Sequence, residues 1–406
     1  MSIKKSKEWG ADVFPFLSWF KTDKVQNAKV LVAGAGALGN EALKNLALFG
    51  VGNIIIVDFD KIEYSNLTRS ILFRPEDADR GFYKAEIAAK RINEINPDVN
   101  VYAICGDLAT DVGLGLYRRM NVLLGCLDNL WARVTLNKLS FRAGVPWIDG
   151  GIGDMEGEVN GYQLNKNCYE CSLTDDELKE LKETRMSCAG VTREHEKRGR
   201  VATTPVSASI IAAIQVQEAM KMIHKDDNEN GLFTPLIGTM FRYEGMHPYA
   251  DVFECTTYKE ECVAHEQWDN IIEIASLSAD MTVAKSLSVI KEALQVENVE
   301  INMRNNRFIA KLETRSDRKT FSPMLPESMI SDYIKASDEL ETYSFMEGGL
   351  YQHAFENINE EFPYPHLTLK QIGIPCFDVL QVTTEKGYAF VELSADREYY
   401  KEALEL

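Results

Sequence analysis

Short apolar runs alternate with helical spacing along the first half of the chain. Val30–Ala33 is a continuous apolar run of the kind that forms a strand buried on both faces. The next stretch puts Ala42, Leu43, Leu46 and Ala47 on one helical face and ends at Gly50, which predicts a helix opening at Asn40. A second apolar run, Ile54–Val57, follows. The rhythm continues with a helix over 84–95, a strand over Val99–Ile104, a helix near 111–119 and a strand over Val122–Gly125. Then come a helix over 130–143, a strand over Pro146–Asp149, a hairpin over 157–164 and a long helix over 206–223. In that last helix Ile210, Ile214, Val216 and Ala219 are expected to face mostly inward. Strands alternating with helices predict an α/β fold with a largely parallel sheet.

After Asp269 the texture changes. Ile271–Ala275 reads as a strand, and Thr282–Gln295 as a helix with Val283, Leu287, Ile290 and Leu294 at helical spacing. Val299–Met303 and Phe308–Leu312 alternate like strands, and two more strands are expected near 378–383 and 388–393. Residues 313–366 carry no readable pattern. A division at 269/270 follows, with a second, smaller unit over 270–406.

The chain has 406 residues with 45% hydrophobic and 26% charged content, enough for two or three domains with ordinary cores. Its formal net charge of −18 argues against nucleic acid and anionic membranes as partners and allows a basic protein. No signal-peptide pattern and no membrane-length apolar run is present, so a cytoplasmic protein is expected. Eight cysteines in a chain of this kind point to metal binding or catalysis rather than to disulfides.

The first apolar run is followed by Gly34, Gly36 and Gly39 at G-x-G-x-x-G spacing, and the second delivers Asp58. Taken alone, this is a nucleotide-binding unit of the dehydrogenase kind, with the acidic residue on ribose. The residues after Asp58 change that reading. Asp58-Phe59-Asp60, then Ser65-Asn66-Leu67-Thr68-Arg69, and later Gly81-Phe82-Tyr83-Lys84 resemble the signature of the ubiquitin-activating superfamily. That superfamily includes the sulfur-carrier adenylyltransferases and the activating enzymes for ubiquitin-like modifiers. Hydride transfer needs no Asn, Arg and Lys after the second strand, whereas a triphosphate does. Within the superfamily, EALKNLALFG and ILFRPED resemble the catalytic subunits of heterodimeric enzymes of the neddylation type. One departure is Ser70, where the family commonly has Gln.

The resemblance implies a fold and a set of roles. The fold is a Rossmann-like adenylation domain over 1–269 with an inserted catalytic-cysteine segment, 172–202, and a C-terminal β-grasp over 270–406. ATP would be held by Gly34, Gly36, Gly39, Asp58, Asp60, Asn66, Arg69, Lys84, Asp128 and Asn129. Arg69 and Lys84 would meet the phosphates, and Asp128, beyond the end of the strand Val122–Gly125, would hold Mg²⁺. A plainer role for Asp128 is to cap the helix over 130–143. Cys126 reads as core. Cys188 matches the place of the catalytic cysteine, although composition alone makes it an ordinary loop residue. Arg185, Arg193, Lys197 and Arg198 nearby would favour its thiolate, partly offset by Glu194 and Glu196.

Cys168-x-x-Cys171 is a zinc half-site, a redox pair or a coincidence. No thioredoxin-like unit surrounds it, and Cys262-x-x-His265 supplies a second pair with the same spacing. Zn²⁺ on these four is the expectation, with Cys255 as the alternative fourth ligand. The first arginine in the chain is Arg69, so the leader lacks the arginine that homodimeric relatives lend to a partner. A homo- or heterodimer partner would supply it. The expected partners are a ubiquitin-like protein and a conjugating enzyme, the latter on a 270–406 unit whose removal would spare adenylation.

Overall fold

A computed structural model describes residues 9–10, 13–174, 176–177, 203–228, 231–255, 257–303, 306–345 and 349–401. The first eight strands form one sheet. They are β1 (Lys29–Ala33), β2 (Asn53–Val57), β3 (Asn100–Ile104), β4 (Val122–Gly125), β5 (Trp147–Ile152), β6 (Glu156–Tyr162), β7 (Thr239–Glu244) and β8 (Tyr249–Glu254). Their order is β3-β2-β1-β4-β5-β6-β7-β8, with the first five mutually parallel and the last three antiparallel. The sheet reverses its winding between β1 and β4. In open α/β sheets, ligands bind at the carboxyl ends of the strands beside such a point.

The register explains why the site residues leave the sheet together. Ala33 lies opposite both Val57 and Gly125, Val57 opposite Ile104, and Gly125 opposite Asp149. The residues that follow (Gly34, Asp58, Cys126 and Gly150) therefore emerge along one edge.

Strand side chains alternate between the faces. Val30, Val32, Ile54 and Ile56 pack under the helices Ala37–Phe49 and Pro205–Ile223, while Leu31, Ala33, Ile55 and Val57 pack under Leu130–Ala143. The glycine-loop helix starts at Ala37, earlier than the spacing suggests, because Gly36 is its N-cap and Gly39 is already helical. The helix expected near 111–119 is only Leu114–Tyr117. The hairpin differs from expectation: β5 runs through Gly150 and Gly151 and pairs with β6, so the turn lies at 153–155. In the long helix Ile211, Ala212, Val216 and Ala219 are buried, and Ile210 and Ile214 lie at the edge of that face.

The second unit has a five-stranded sheet in the order Asn357–Ile358, Glu300–Asn302, Val379–Thr384, Gly387–Leu393, Ile272–Ile274. Its first and last strands in sequence are parallel neighbours. The helix Val283–Leu294 buries Val283, Leu287 and Ile290 in that unit's core. Most of the stretch without a readable pattern belongs to an insertion: a small four-stranded sheet around Phe308–Thr314 and two helices, closed over Ile309, Leu312, Ile330, Ile334 and Leu340.

The two units share a core. Phe377, Val379 and Tyr400 belong to the same buried cluster as Leu114, Tyr117 and Trp147. The Asp378 carboxylate accepts the Leu114 N–H at 2.8 Å, and the Phe377 carbonyl accepts that of Gly115 at 2.9 Å. A Cβ on Gly113 or Gly115 would lie 2.4 Å from a backbone oxygen of Cys376 or Phe377, so this seat tolerates glycine alone. Around it the fully buried Glu392 carboxylate takes Arg118, Arg119 and Arg397.

Candidate functional site

The three glycines have three different physical reasons. Gly34 sits at φ +93°, and a Cβ there would lie 2.3 Å from the Cys126 carbonyl oxygen. A Cβ on Gly39 would lie 2.1 Å from the Gly34 carbonyl oxygen, so helix and loop pack without a side chain between them. Among the described residues, Gly36 has nothing within 4 Å of its Cβ position. It faces an open cradle at the N-terminus of a 13-residue helix whose cap carries no side-chain hydrogen bond. The first N–H groups of such a helix have no internal partner and suit an anion.

Asn40, which sequence reasoning passed over as a site residue, fixes this loop. It is fully buried, donates to the carbonyls of Ala35 at 2.7 Å and Gly36 at 2.9 Å, and accepts the Leu72 N–H at 2.8 Å. It thereby ties the glycine loop to the segment after Arg69. The signal for it was a polar residue inside an otherwise apolar helix face, which is informative when buried.

Asp58 leaves β2 and braces both sides of the cradle. Its Oδ2 accepts the Ala35 N–H at 2.7 Å and its Oδ1 that of Asp60 at 2.8 Å. Burial pushes its carboxyl up, against the pull of Lys84 and these two bonds. Lys84 opens its own helix, Lys84–Ile95, donates its backbone N–H to the Asp60 carbonyl at 2.9 Å, and sets Nζ 2.6 Å from Asp60 Oδ2. The Asn66 side-chain Oδ1 caps the turn Tyr64–Asn66 by accepting the Glu63 N–H at 2.9 Å. Arg69 is half-buried, one Nη donating to the Ser65 carbonyl at 2.9 Å. Ser70 is buried, and its Oγ has no hydrogen-bond partner among the described residues.

On the neighbouring strand end, Asn129 rather than Asp128 is the N-cap of the helix Leu130–Ala143, accepting the Ala132 N–H at 2.8 Å. Asp128 is thereby left exposed, with Asn129 Nδ2 donating to its Oδ1 at 3.1 Å. An exposed carboxylate at a strand end, beside an open anion cradle, fits the one- or two-carboxylate demand of Mg²⁺ bound with phosphate. Cys126 is buried, donates to Gln215 Oε1 at 3.5 Å, and has its thiol pushed far up by burial.

A second constellation lies below β5. The ligand atoms of Cys168, Cys171, Cys262 and His265 all lie within 4.8 Å of one another. Cys168 Sγ is 3.7 Å from both Cys171 Sγ and Cys262 Sγ, and Cys171 Sγ is 3.3 Å from His265 Nε2. A tetrahedral zinc with ordinary bond lengths has edges of about 3.8 Å between sulfurs and about 3.6 Å from sulfur to nitrogen. The His265 ring is stacked between Phe141 and Tyr258, with centroids at 5.3 and 5.1 Å. The contact with Cys168 lowers the Cys262 thiol below its ordinary value. Cys255 stands apart, beside Asn160, and its N–H is held by the Gly238 carbonyl. Cys188 and the segment around it lie outside the described residues.

The sequence profile of the ThiF family matches residues 11–264, which contain the cradle and the three cysteines of the cluster. The chain belongs to the ThiF family. It is similar to SUMO-activating enzyme subunit 2 of Dictyostelium discoideum, 39% identical over 37% of this chain and 22% of that protein. It is also similar to the molybdopterin-synthase adenylyltransferase of Salmonella typhimurium, 36% identical over 37% of this chain and 60% of that protein. Ubiquitin-like modifier-activating enzyme 5 of Culex quinquefasciatus aligns more widely, at 26% identity over 57% of this chain and 56% of that protein. The matched part thus spans between about a fifth and three-fifths of the length of these relatives. A ThiF-family, adenylation-type fold of the ubiquitin-activating superfamily replaces the dehydrogenase reading. Among the described residues no helix is long and apolar enough to cross a membrane.

Proposed function

We propose that the protein is an ATP-dependent activating enzyme for a ubiquitin-like protein. The observation that carries this reading is the cradle itself: an open helix N-terminus at Gly36, with Lys84 held by Asp60 and an exposed Asp128 on the next strand end. A C-terminal carboxylate of the modifier attacks the α-phosphorus of ATP, forming an acyl–phosphate bond as pyrophosphate leaves. Catalysis here is positioning and charge stabilisation. Lys84 and Arg69 neutralise phosphate oxygens, Asp58 and Asp60 hold the ribose side, and Asn66 and Asn129 contact the nucleotide. Mg²⁺ bound at Asp128 supplies further charge neutralisation. The Cys188 thiolate then attacks the acyl carbon, AMP leaves, and the thioester passes to a conjugating enzyme's cysteine.

Zn²⁺ on Cys168, Cys171, Cys262 and His265 belongs to the same reading as a closed, structural site. Metal analysis is expected to find about one zinc per chain, and His265→Ala to lose it while Cys255→Ala keeps it. Residues 270–406 are read as a β-grasp-like unit that docks the conjugating enzyme; a helix lies on a mixed sheet whose first and last strands are parallel. A dimer partner supplies the missing arginine, and the compartment is the cytoplasm, where thiols stay reduced.

The similarity to a molybdopterin-synthase adenylyltransferase favours a second reading, a sulfur-carrier adenylyltransferase that stops at the acyl adenylate. Cys188 decides between them. Cys188→Ala should keep ATP–pyrophosphate exchange and form no modifier adduct that a thiol reductant cleaves. Normal loading by that variant would leave Cys188 a loop residue and favour the sulfur-carrier reading.

A further inference from the structure

Arg133 lies one turn into the helix that starts behind Asp128, and its guanidinium is spread over three elements. Nε donates to Asp149 Oδ1 at 3.2 Å; one Nη donates to the Leu127 carbonyl at 3.0 Å and the Gly150 carbonyl at 3.3 Å. The Tyr169 phenol, in the sequence between Cys168 and Cys171, is close enough to interact with the guanidinium. Asp149 is 1% exposed, packed near Cys126, Glu158, Tyr162 and Tyr169, with Arg133 as its cationic partner. Leu127 is the residue immediately before Asp128. The peptide leading into the exposed carboxylate is therefore pinned from behind to the end of β5.

We infer that Arg133 is the positioning residue of Asp128: it fixes the Leu127–Asp128 loop to Asp149 and Gly150, so that the carboxylate is set before Mg²⁺–ATP arrives. This rests on the reading of Asp128 as a Mg²⁺ ligand. The geometry demands an arginine. A planar fork can serve a carboxylate and two carbonyls at once, whereas a lysine ammonium would keep one or two of them and lose the span. The energetics point the same way. Burying Asp149 without its partner is costly, so the pair is expensive as mere filling, and an apolar pair of similar volume would stabilise the fold as well. What an apolar pair cannot do is hold the Leu127 carbonyl. Groups that orient a metal ligand from behind typically account for 10–100-fold in metal affinity.

The test is a titration of the full chain with ATP, once with Mg²⁺ and once with EDTA, alongside thermal melts. The wild-type chain should bind ATP in both and more tightly with Mg²⁺. Arg133→Met alone strands Asp149 and is expected to melt low, so the informative variant is Arg133→Met with Asp149→Asn, which leaves no buried charge. It should fold, keep metal-free ATP affinity within about threefold, and lose about tenfold of the Mg²⁺-dependent gain. Arg133→Lys should fail to restore that gain. A folded double variant with the wild-type gain, or full rescue by lysine, would overturn the inference. Wild-type binding of ATP without any Mg²⁺ gain would overturn it through Asp128, and no ATP binding at all would overturn the functional reading beneath it.

Discussion

The nucleotide cradle and the seam between the two units are both rich in charge, yet they are built in opposite ways. Among the described residues, Lys84 in the cradle has one carboxylate partner, half-buried Arg69 rests on a backbone carbonyl, and exposed Asp128 takes a hydrogen bond from the amide beside it. In the seam one buried carboxylate, Glu392, collects Arg118, Arg119 and Arg397, and Glu273 backs all three. Phe377 fills the space under Arg119, with the ring centroid 4.8 Å from the guanidinium carbon. Charges left underused at a strand end are available for a ligand; charges used to capacity hold a fold together. The difference separates function from structure more sharply than charge density does.

The largest effect is expected from cutting through the seam. Deleting 270–406 removes Phe377, Val379 and Tyr400 from a core shared with Leu114, Tyr117 and Trp147. The expectation that adenylation would survive this deletion does not fit a shared core. The truncated chain should aggregate or melt well below the full chain, and a soluble truncation with unchanged melting would refute the shared-core account. Next in size is Glu392→Ala. Removing one partner of a buried ion cluster costs about 3 kcal/mol or more. Denaturant unfolding should register it, with ATP affinity of the folded protein unchanged.

Lys84→Ala should show the mirror image. Loss of one oriented charge costs on the order of a hundredfold in nucleotide-dependent function, while stability changes by no more than about 1 kcal/mol, as for other partly exposed ion pairs. If Lys84→Ala costs stability and not binding, the contrast between the two regions fails.

The smallest expected effect is a slope. Burial raises the Asp378 carboxyl to about 6. The folded state therefore holds a proton that the unfolded chain has released above about pH 4. The contribution is present in full below about pH 4 and is lost as pH rises through about 6. Glu392 acts oppositely: burial alone would raise it, but Arg119, Ser394 and Arg397 outweigh that, so its contribution is lost as pH falls. Asp378→Asn should make stability rise more steeply between pH 4 and 6 than in the wild type. An unchanged slope in denaturant melts across that range would show that Asp378 does not titrate there.

The cradle was legible in the sequence because its requirements are local. Gly34, Gly36, Gly39, Asp58 and Lys84 sit at spacings dictated by one strand–turn–helix and its neighbour. The thiol cluster was legible as two matched spacings, although 94 residues apart. What stayed hidden depends on contacts distant in sequence. Asn40 matters through Leu72, Arg133 through Asp149 and Gly150, and Gly113 through Cys376, and none of these pairs leaves a periodic trace. The insertion around 308–355 was unreadable for a related reason. Two of its four strands have only two residues, and its core is five residues.

The central claim is that the open helix N-terminus at Gly36 receives the phosphates of Mg²⁺–ATP. The most direct measurement is equilibrium titration of the full chain with ATP and with NAD, Mg²⁺ present, on wild type and Lys84→Ala. The account predicts that ATP binds the wild type, that Lys84→Ala weakens it by about a hundredfold, and that NAD does not compete. Tight NAD binding with no ATP binding would contradict it.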